Sequence, residues 1–310
     1  MNNLDFHKPV LMNEVLKALS PKDGEVYLDC TFGAGGYSKS ILESANCKLY
    51  AIDRDETAQK FAENLTQQFP KNFDFSLGKF SESQELLAQK GIEQVDGIVL
   101  DIGVSSMQLD DKSRGFSFDS DAKLDMRMDQ KNHYSAFELV NETSEDVLAD
   151  IIKTFGEENK AKKIARKIAE TRLNKPITSC KDLADIVRSF YFGYFKTDPA
   201  TKTFQALRIF INQELEELKS ILELSKKLLK KDGRLVVVTF HSLEDSIVKH
   251  FFKTQAGLDH SVSRYMPDIS NMKIEKHFHL LTKSVITASK KEVTDNPRAR
   301  SAKLRGAIKI

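Results

Sequence analysis

Three glycines that follow an acidic residue are the feature of this sequence with the clearest chemical use. Gly33, Gly35 and Gly36 lie in the segment 29–36, which reads DCTFGAGG and begins at Asp29. Glycine lets the backbone approach a ligand closely where a strand leads into a helix, and the N–H groups there attract polar ligand groups. The segment therefore predicts a cofactor-binding turn. Alone, it would also suit a tight connection between a strand and a helix.

The residues around these glycines favour one class of cofactor. The dinucleotide fingerprint requires a third small residue three positions after its second glycine, and Ser38 occupies that position here. Asp29 is more informative, because a carboxylate attracts the ammonium and sulfonium groups of S-adenosylmethionine and repels a pyrophosphate. We therefore expect S-adenosylmethionine as the cofactor, with a nicotinamide dinucleotide as the alternative.

Four further side chains follow predicted strands, where open α/β sheets bind their ligands. Asp53 ends the second apolar run, at the spacing from the glycines at which an acid meets ribose hydroxyls. Phe80 follows the third run and offers a ring to an adenine, while Asp101 ends the fourth run and Gln108 follows shortly after. Two simpler interpretations remain open: Asp53 as a helix cap and Phe80 as a core aromatic residue.

The elements that position these residues alternate along the first third of the chain. Short apolar runs predict strands at 25–30, 48–52, 73–77 and 97–102. Amphipathic segments lie between them at 38–44, 56–69 and 81–90. Strands that alternate with helices predict an α/β fold with a parallel sheet covered on both faces.

The alternation is then interrupted by a long segment without a clear strand pattern. Residues 111–203 read as turns followed by helices, with helical patterns at 145–155, 158–173 and 181–190. We interpret this segment as an inserted helical domain, so that residues 1–110 and 204–310 together form the sheet domain. In the second part we expect one long helix over 204–230 that stops at Asp232 and Gly233, and then a strand over 234–240. The runs 280–288 and 302–310 predict a closing hairpin.

Composition and charge limit the class of protein. No apolar run approaches the roughly 20 residues that a bilayer span needs, and the first residues lack a secretory pattern, so we expect a cytoplasmic protein. Cys30, Cys47 and Cys180 are few and widely spaced, which favours reduced thiols and no structural metal. The net charge is only +2, but the stretches 160–175 and 290–310 are basic and suit phosphate binding, if they are not simply solvated faces.

Taken together, eight blocks in this order resemble one family, the bacterial ribosomal RNA small-subunit methyltransferase H family of the MraW type. The resemblance runs nearly from end to end of the chain. The blocks are His7 to Leu11 with Glu14, the glycine turn, Asp53 to Asp55, Asp96 to Ser106 with Gln108 to Asp110, Arg114 to Phe118, Leu124 to Asp129, Phe240 to Asp245, and Asn296 to Ser301.

The resemblance implies a fold, a reaction and a partner. It implies a Rossmann-like, S-adenosylmethionine-dependent methyltransferase sheet with an inserted all-helical domain that helps to recognise the substrate. The implied reaction is methyl transfer to the exocyclic N4 of a cytosine in 16S rRNA, at the decoding centre (P site) of the small ribosomal subunit. The implied cofactor contacts are Gly35, Gly36, Tyr37, Asp53, Phe80, Asp101 and Gln108. Tyr37 is a departure, because histidine is typical there, and it is harmless if the backbone makes the contact.

The chemistry of the transfer suggests further site residues. Asp101 and Ser105 follow the fourth strand, from which amino-methyltransferases usually hydrogen-bond the target amine. Asp101 alternatively serves only the cofactor, and Ser105 alternatively caps a helix. Arginine suits RNA because it matches phosphate geometry and stacks on unpaired bases. The expected RNA contacts are Arg114, Arg127, His241, Ser242, Arg298 and Arg300.

Two rival functions belong to other classes of protein. A nicotinamide dehydrogenase on a similar sheet is disfavoured by Ser38 and by Asp29. A non-catalytic ribosome-assembly factor would keep the fold without the activity, and it is disfavoured because the residues of the cofactor edge are all present. The sequence leaves the oligomeric state open between a monomer and a dimer.

Overall fold

The computed structural model describes residues 9–258 and 276–310. The chain divides into two compact units, which we call the sheet unit and the helical unit. The sheet unit comprises the chain up to Gly103 and from Glu216 onward, and the helical unit is Val104–Leu215. The boundaries that we expected from the sequence lie seven residues after the first of these limits (110 against 103) and twelve before the second (203 against 215).

The sheet unit contains the eight named strands of the described residues. They are β1 (Val26–Asp29), β2 (Lys48–Asp53), β3 (Phe73–Leu77), β4 (Val95–Asp101), β5 (Leu229–Thr239), β6 (Phe278–Leu280), β7 (Ile286–Thr287) and β8 (Lys303–Lys309). Their order is β3-β2-β1-β4-β5-β8-β6, and β7 also pairs with β8. Neighbours among β1 to β5 are parallel, whereas β8 is antiparallel to β5, β6 and β7. The order 3-2-1-4-5 is Rossmann-like, so the predicted fold class is confirmed.

Helices occupy most of the remaining described chain. In chain order they are α1 (Met12–Leu19), α2 (Gly36–Ser44), α3 (Gln59–Gln68), α4 (Ser83–Gln89), α5 (Ser106–Asp110), α6 (Ala136–Glu142), α7 (Glu145–Gly156), α8 (Ala161–Asn174), α9 (Cys180–Arg188), α10 (Thr201–Asn212), α11 (Glu214–Leu228), α12 (Ser242–Gln255) and α13 (Lys290–Asp295). None of the helices within the described ranges has both the length and the apolar character that crossing a bilayer requires.

The central strands form because their side chains are buried on both faces of the sheet. Ile98, Val99 and Leu100 of β4 are fully buried, and so are residues 235–238 of β5. Such runs are apolar without alternation, which is the pattern of a parallel sheet covered by helices. Leu222 of α11 belongs to the core cluster that covers one face. The carboxyl ends of the parallel strands therefore meet at one edge of a rigid core.

The helical unit has a core of its own. Residues from α6 to α10 contribute to one buried apolar cluster. Helices α7 and α10 approach closely at Gly156, where an added Cβ would lie 2.5 Å from the carbonyl oxygen of Lys202. Phe204 and Leu207 of α10 are buried in this cluster. Burial of these α10 residues explains why this helix, which we expected in the sheet domain, belongs to the helical unit.

Three details of the second half differ from the expectation. The helix stop expected at Asp232 and Gly233 was wrong, because both residues lie within β5. The single long helix over 204–230 was wrong, because the chain breaks at Gln213, whose φ of 51° is left-handed. Arg208 bridges the break, since its Nε donates to Glu214 Oε1 at 2.7 Å. The closing strands pair with β8 as predicted, but only β7 lies within the expected first run, β6 ends at the first residue of that run, and α13 lies in the connection to β8.

A buried asparagine joins α10 to the loop before α6. Asn212 Oδ1 accepts a hydrogen bond from Met128 N at 2.7 Å, and its Nδ2 donates to Met126 O at 2.8 Å. Met126 itself has a left-handed φ of 61°, so these bonds hold a strained backbone.

We expect Asn212→Ala to destabilise the helical unit by about 2–4 kcal/mol, because it leaves buried backbone groups without their partner. Denaturant unfolding followed by circular dichroism measures the loss. Asn174→Ala, at an exposed helical position, is the matched control and should change stability by less than about 0.5 kcal/mol. Equal stability of the two variants would contradict this role of Asn212.

Candidate active site

A fully buried carboxylate shapes the glycine turn at the end of β1. Asp29 Oδ1 accepts a hydrogen bond from Thr31 N at 3.0 Å, and its Oδ2 accepts one from Ser38 Oγ at 2.7 Å. Thr31 Oγ1 in turn accepts a hydrogen bond from Asp101 N at 2.7 Å. Burial raises the pKa of Asp29 above its ordinary value, and these donors partly offset that rise. Asp29 therefore ties the turn to α2, and Thr31 ties it to β4.

The glycines have backbone conformations and surroundings that larger residues would not tolerate. Gly33 and Gly35 have left-handed φ values of 54° and 80°. A Cβ at Gly35 would lie 2.8 Å from the Phe32 ring, and one at Gly36 would overlap the ring of Pro9. The N–H of Gly33 donates to Asp53 Oδ2 at 2.7 Å. Two of the predicted cofactor residues, Gly33 and Asp53, are therefore in direct contact.

The chain before α1 lies against this turn. The Tyr37 hydroxyl donates a hydrogen bond to the carbonyl oxygen of Val10, and Leu11 N donates to Glu292 Oε1 at 2.6 Å. The Tyr37 side chain is buried in this contact, and its backbone lies in the first turn of α2. His7 and Lys8 of the family block lie outside the described residues.

Asp53 and Phe80 lie after neighbouring strands. Asp53 Oδ1 accepts a hydrogen bond from Asp55 N at 2.9 Å, and burial raises the pKa of Asp53 to about 6. Each of its oxygens accepts one backbone N–H, and a carboxylate oxygen has capacity for a second donor such as a ribose hydroxyl. Phe80 is half-buried, and the Arg54 guanidinium lies 5.5 Å from its ring centroid.

Asp101 carries the least satisfied charge at this edge. Its Oδ1 is buried and has no hydrogen-bond partner among the described residues. Burial is the largest cause that raises the pKa of Asp101 to about 8, and the negative charges of Asp29 and Glu244 add to it. We call Asp29, Asp53, Asp101 and Glu244 the acidic edge. Such an edge attracts a cation and repels a pyrophosphate.

The residues that follow β5 cap a helix. His241 is the N-cap of α12: its Nδ1 accepts a hydrogen bond from Glu244 N at 3.4 Å, and its Nε2 lies 2.9 Å from Glu244 Oε1. Glu244 Oε2 accepts the backbone N–H groups of Phe240 and His241. Ser242, the first residue of α12, is exposed. The imidazole of His241 is therefore engaged within its own turn.

Ser105 and Gln108 lie together in the helical unit, at the start of α5. Gln108 N donates to Ser105 Oγ at 3.2 Å, and Ser105 N donates to Gln108 Oε1 at 3.0 Å. This reciprocal pair is a capping box. The hydroxyl of Ser105 has the capping partner that we considered as its alternative role, and its contact with a target amine stays a prediction.

The four predicted RNA-binding arginines differ in their surroundings. Arg114 is buried and its guanidinium donates to the carbonyl oxygens of Arg127 and Met128, at 2.9 and 3.1 Å. Arg127 is half-buried, and its Nη2 donates to Asp125 Oδ2 at 2.7 Å. Both guanidinium groups therefore have partners inside the helical unit. In the sheet unit, Arg298 is half-buried and Arg300 is exposed.

The sequence of the whole chain matches known proteins. The sequence profile described as the MraW methylase family matches residues 5–310. The chain belongs to the MraW methylase family.

Several bacterial relatives carry the name ribosomal RNA small subunit methyltransferase H. The protein from Rickettsia massiliae (strain Mtu5) is 53% identical, with 99% of each chain covered. The relative from a Wolbachia species (strain wRi) is 51% identical over 98% of this chain and 99% of its own length. The relative from Orientia tsutsugamushi (strain Ikeda) is 50% identical over 100% of this chain and 99% of its own length.

The roles of three residues around the acidic edge of this MraW-family chain were not predicted from the sequence. Thr31 and Ser38 hold Asp29, and Glu244 is a fully buried acid beside Asp101. Only Glu244 had a sequence signal, because an acid three residues after an N-cap position indicates a capping box. Hydroxyls such as Thr31 are too common in turns to be singled out by type.

We expect Gly35→Ala to lower the melting temperature more than Gly24→Ala does. Both glycines have left-handed φ values, 80° and 79°, so both substitutions carry about 1 kcal/mol of backbone strain. Only at Gly35 must the Phe32 ring also move, because an added Cβ at Gly24 has no atom within 4 Å.

Thermal unfolding by circular dichroism and titration with S-adenosylmethionine measure both consequences. The affinity should fall for Gly35→Ala and stay unchanged for Gly24→Ala. Identical melting temperatures and affinities for the two variants would exclude the packing of Phe32 as a constraint on the turn.

Proposed function

We propose that this chain is an S-adenosylmethionine-dependent methyltransferase of ribosomal RNA. Its proposed target is the exocyclic N4 of a cytosine in 16S rRNA, at the decoding centre of the small ribosomal subunit. The observation that carries the proposal is membership of the MraW methylase family over residues 5–310. The relatives named ribosomal RNA small subunit methyltransferase H support the substrate class. The choice of cytosine N4 rests on the family resemblance of the sequence blocks.

The acidic edge fits the proposed cofactor. The unpartnered oxygen of Asp101 suits a hydrogen-bond donor or a cation, and Gly35 and Gly36 carry no side chain of their own at the turn. S-adenosylmethionine supplies an electrophilic methyl group on its sulfonium. The residues that we assign to hold it are Gly33, Gly35, Gly36, Tyr37 through its backbone, Asp53, Phe80, Asp101 and Gln108.

The chain has to position a poor nucleophile. The lone pair of a cytosine N4 is delocalised into the ring, so the site must align the amine with the methyl group and exclude other orientations. As the new N–C bond forms, the C–S electron pair passes to sulfur and the amine loses a proton. In our proposal Asp101 accepts a hydrogen bond from the cofactor or from the target amine, and water takes the released proton. Ser105 is a second, weaker candidate for the amine contact.

The residues proposed to contact RNA differ in the exposure of their side chains to solvent. Arg300 is exposed and Arg298 is half-buried in the turn before β8, so these two are the main candidates for phosphate contacts. Ser242 is exposed beside the capped His241 and is a candidate for contact with the base. Arg114 and Arg127 support the helical unit from inside, and we propose that they shape the substrate-recognition domain. The target base must be unpaired or extruded to react.

Methyl transfer is tested with small ribosomal subunits from a strain that lacks the corresponding enzyme. With tritiated S-adenosylmethionine, we expect label in 16S rRNA, and mass spectrometry of the nucleosides should place it on N4 of cytidine. Asp101→Asn should reduce the rate by about 100-fold or more, within the range for a positioned polar group in a transfer reaction. Label only in protein, or no label at all, would refute the function.

We expect cofactor binding to release a proton near pH 7. The pKa of Asp101 is raised to about 8, so this carboxyl is mostly protonated in the free protein at pH 7. A bound cation lowers that pKa, and the proton then leaves the protein. Above about pH 9 the carboxyl is already ionised, and the release should vanish.

Calorimetric titrations in buffers of different ionisation enthalpy measure this proton. Asp101→Asn should abolish the release at pH 7, whereas Asp74→Asn, which neutralises an acid ion-paired with Lys90 away from the site, should leave it unchanged. A nicotinamide dinucleotide should not bind. Full proton release by the Asp101→Asn protein would exclude Asp101 as the group that senses the cation.

A further inference from the structure

We propose that an aromatic loop of the helical unit, residues 190–197, together with the lysines beside it, binds single-stranded RNA by stacking on its bases. This inference rests on the proposed function, and it names a surface that the cofactor chemistry does not use. The arrangement that carries it is a loop with two exposed rings at its tip and Lys160, which lines a lysine-rich cavity, in contact with its base.

The rings at the tip of the aromatic loop point into solvent. Phe192 is 89% exposed and Tyr194 is 95% exposed, on either side of Gly193. An aromatic ring would normally contribute 150–250 Å² of buried area to a core, so exposure of two neighbours has no use in stability. Exposed apolar groups of this size that cluster together mark binding surfaces.

The base of the loop, in contrast, is firmly held. Arg188 at its start donates two hydrogen bonds to Asp198 at its end, at 3.0 and 2.7 Å. The Tyr191 hydroxyl donates to Glu158 Oε1 at 2.5 Å, and the Tyr191 and Phe195 rings meet edge to face at 5.6 Å. Because the two ends of the loop are anchored, little conformational entropy is lost when its projecting rings bind a ligand.

Lys160 places positive charge next to the Tyr191 ring, at the base of the loop. Lys160 Nζ donates to Phe190 O at 2.6 Å and lies 3.8 Å from the centroid of the Tyr191 ring. Lys160 also lines a cavity of about 520 Å³ at the start of α8, which has four lysines and two acids in its wall. The lining charged residues are Lys153, Glu157, Glu158, Lys160, Lys162 and Lys163.

The charge at this cavity is not explained by internal ion pairs. Lys162, Lys163 and Lys196 are exposed, and none of them forms an ion pair within the described ranges. Cations in the first turn of a helix also oppose its dipole, so Lys162 and Lys163 do not stabilise α8. Proteins that bind single-stranded nucleic acids combine aromatic rings, which stack on the bases, with positive groups, which contact the phosphates.

The same features argue for RNA over a lipid surface or a second copy of the chain. The exposed apolar stretch is short, is interrupted by Gly193 and is followed at once by Lys196 and Asp198. A membrane-binding segment needs a longer continuous apolar face. A self-complementary interface would bring Lys162 and Lys163 of two copies together, which like charges disfavour.

The test is binding of a fluorescein-labelled oligouridine of about 12 nucleotides, within the site sizes of single-strand binders. Fluorescence anisotropy at about 50 mM salt should show binding by the unmodified protein. The double variant Phe192→Ala/Tyr194→Ala should raise Kd at least about tenfold and leave its salt dependence unchanged. Lys162→Gln/Lys163→Gln should weaken binding and lower the salt slope by about 1.4.

Two further variants serve as controls. Tyr194→Phe keeps the ring and should restore near-normal affinity, whereas Leu173→Ala removes an apolar side chain that is 85% exposed at the other end of α8 and should change nothing. Melting temperatures should be the same for all four, because the substituted side chains are exposed. Unchanged oligouridine affinity in Phe192→Ala/Tyr194→Ala, or absence of binding by the unmodified protein, overturns the proposal. The proposal is also overturned if Phe192→Ala/Tyr194→Ala weakens only the binding of the protein to anionic vesicles, or only its self-association, and leaves RNA binding unchanged.

Methyl transfer separates this proposal from the proposed function. Phe192→Ala/Tyr194→Ala should raise KM for small subunits while the affinity for S-adenosylmethionine stays unchanged. An unmodified protein that binds oligouridine through the loop but transfers no methyl group would refute the proposed function alone. The aromatic surface alone would be refuted if the unmodified protein methylates small subunits and the double variant has the same KM and the same oligouridine affinity as the unmodified protein.

Discussion

The buried carboxylate of Asp29 is the interaction on which the rest of the cofactor edge depends. A carboxylate without donors is too costly to bury, so the chain around it turns inward and supplies Thr31 and Ser38. That turn brings Gly33 to Asp53 and Thr31 to Asp101, which joins β1 to its two neighbours. The position of the glycines is thus a result of one hydrogen-bonding requirement, and their small size allows the chain to meet it.

Within the described ranges, the carboxyl groups of the acidic edge do not all have hydrogen-bond partners. Asp29 and Asp53 use their oxygens on the protein itself, whereas Asp101 retains an oxygen without a partner among the described residues, and burial followed by repulsion from Asp29 and Glu244 disfavours its ionised form. Ionisation of Asp101 therefore adds negative charge beside other carboxyl groups where the strands end. A ligand that brings positive charge relieves this repulsion, and one that brings phosphate increases it. In our proposal, selectivity between cofactor classes follows from this unfavourable arrangement of carboxyl groups in the free protein.

The sequence predicts the sheet well because buried parallel strands leave continuous apolar runs, and chain topology then brings their ends together. The sequence predicts tertiary contacts and helix breaks poorly where the periodicity of apolar residues does not change. The apolar period passes through Gln213 without interruption, so the helix break there has no sequence signal. Residue type also misleads: Arg114 is buried and supports the backbone, while Phe192 and Tyr194 are exposed. The roles of these side chains depend on tertiary neighbours, which a local pattern does not contain.

The place of β8 has a consequence for synthesis of the chain. This strand, residues 303–309, lies between β5 and β6, so the polar groups along one side of β5 have no strand partner until residues 303–309 are made. The helical unit, by contrast, is continuous and complete at Leu215. During translation, the β-branched residues 236–238 of β5 therefore form an open edge, which is a template for wrong pairing. Slow synthesis of the chain between β5 and β8 would lengthen the time for which the nascent chain needs protection from aggregation.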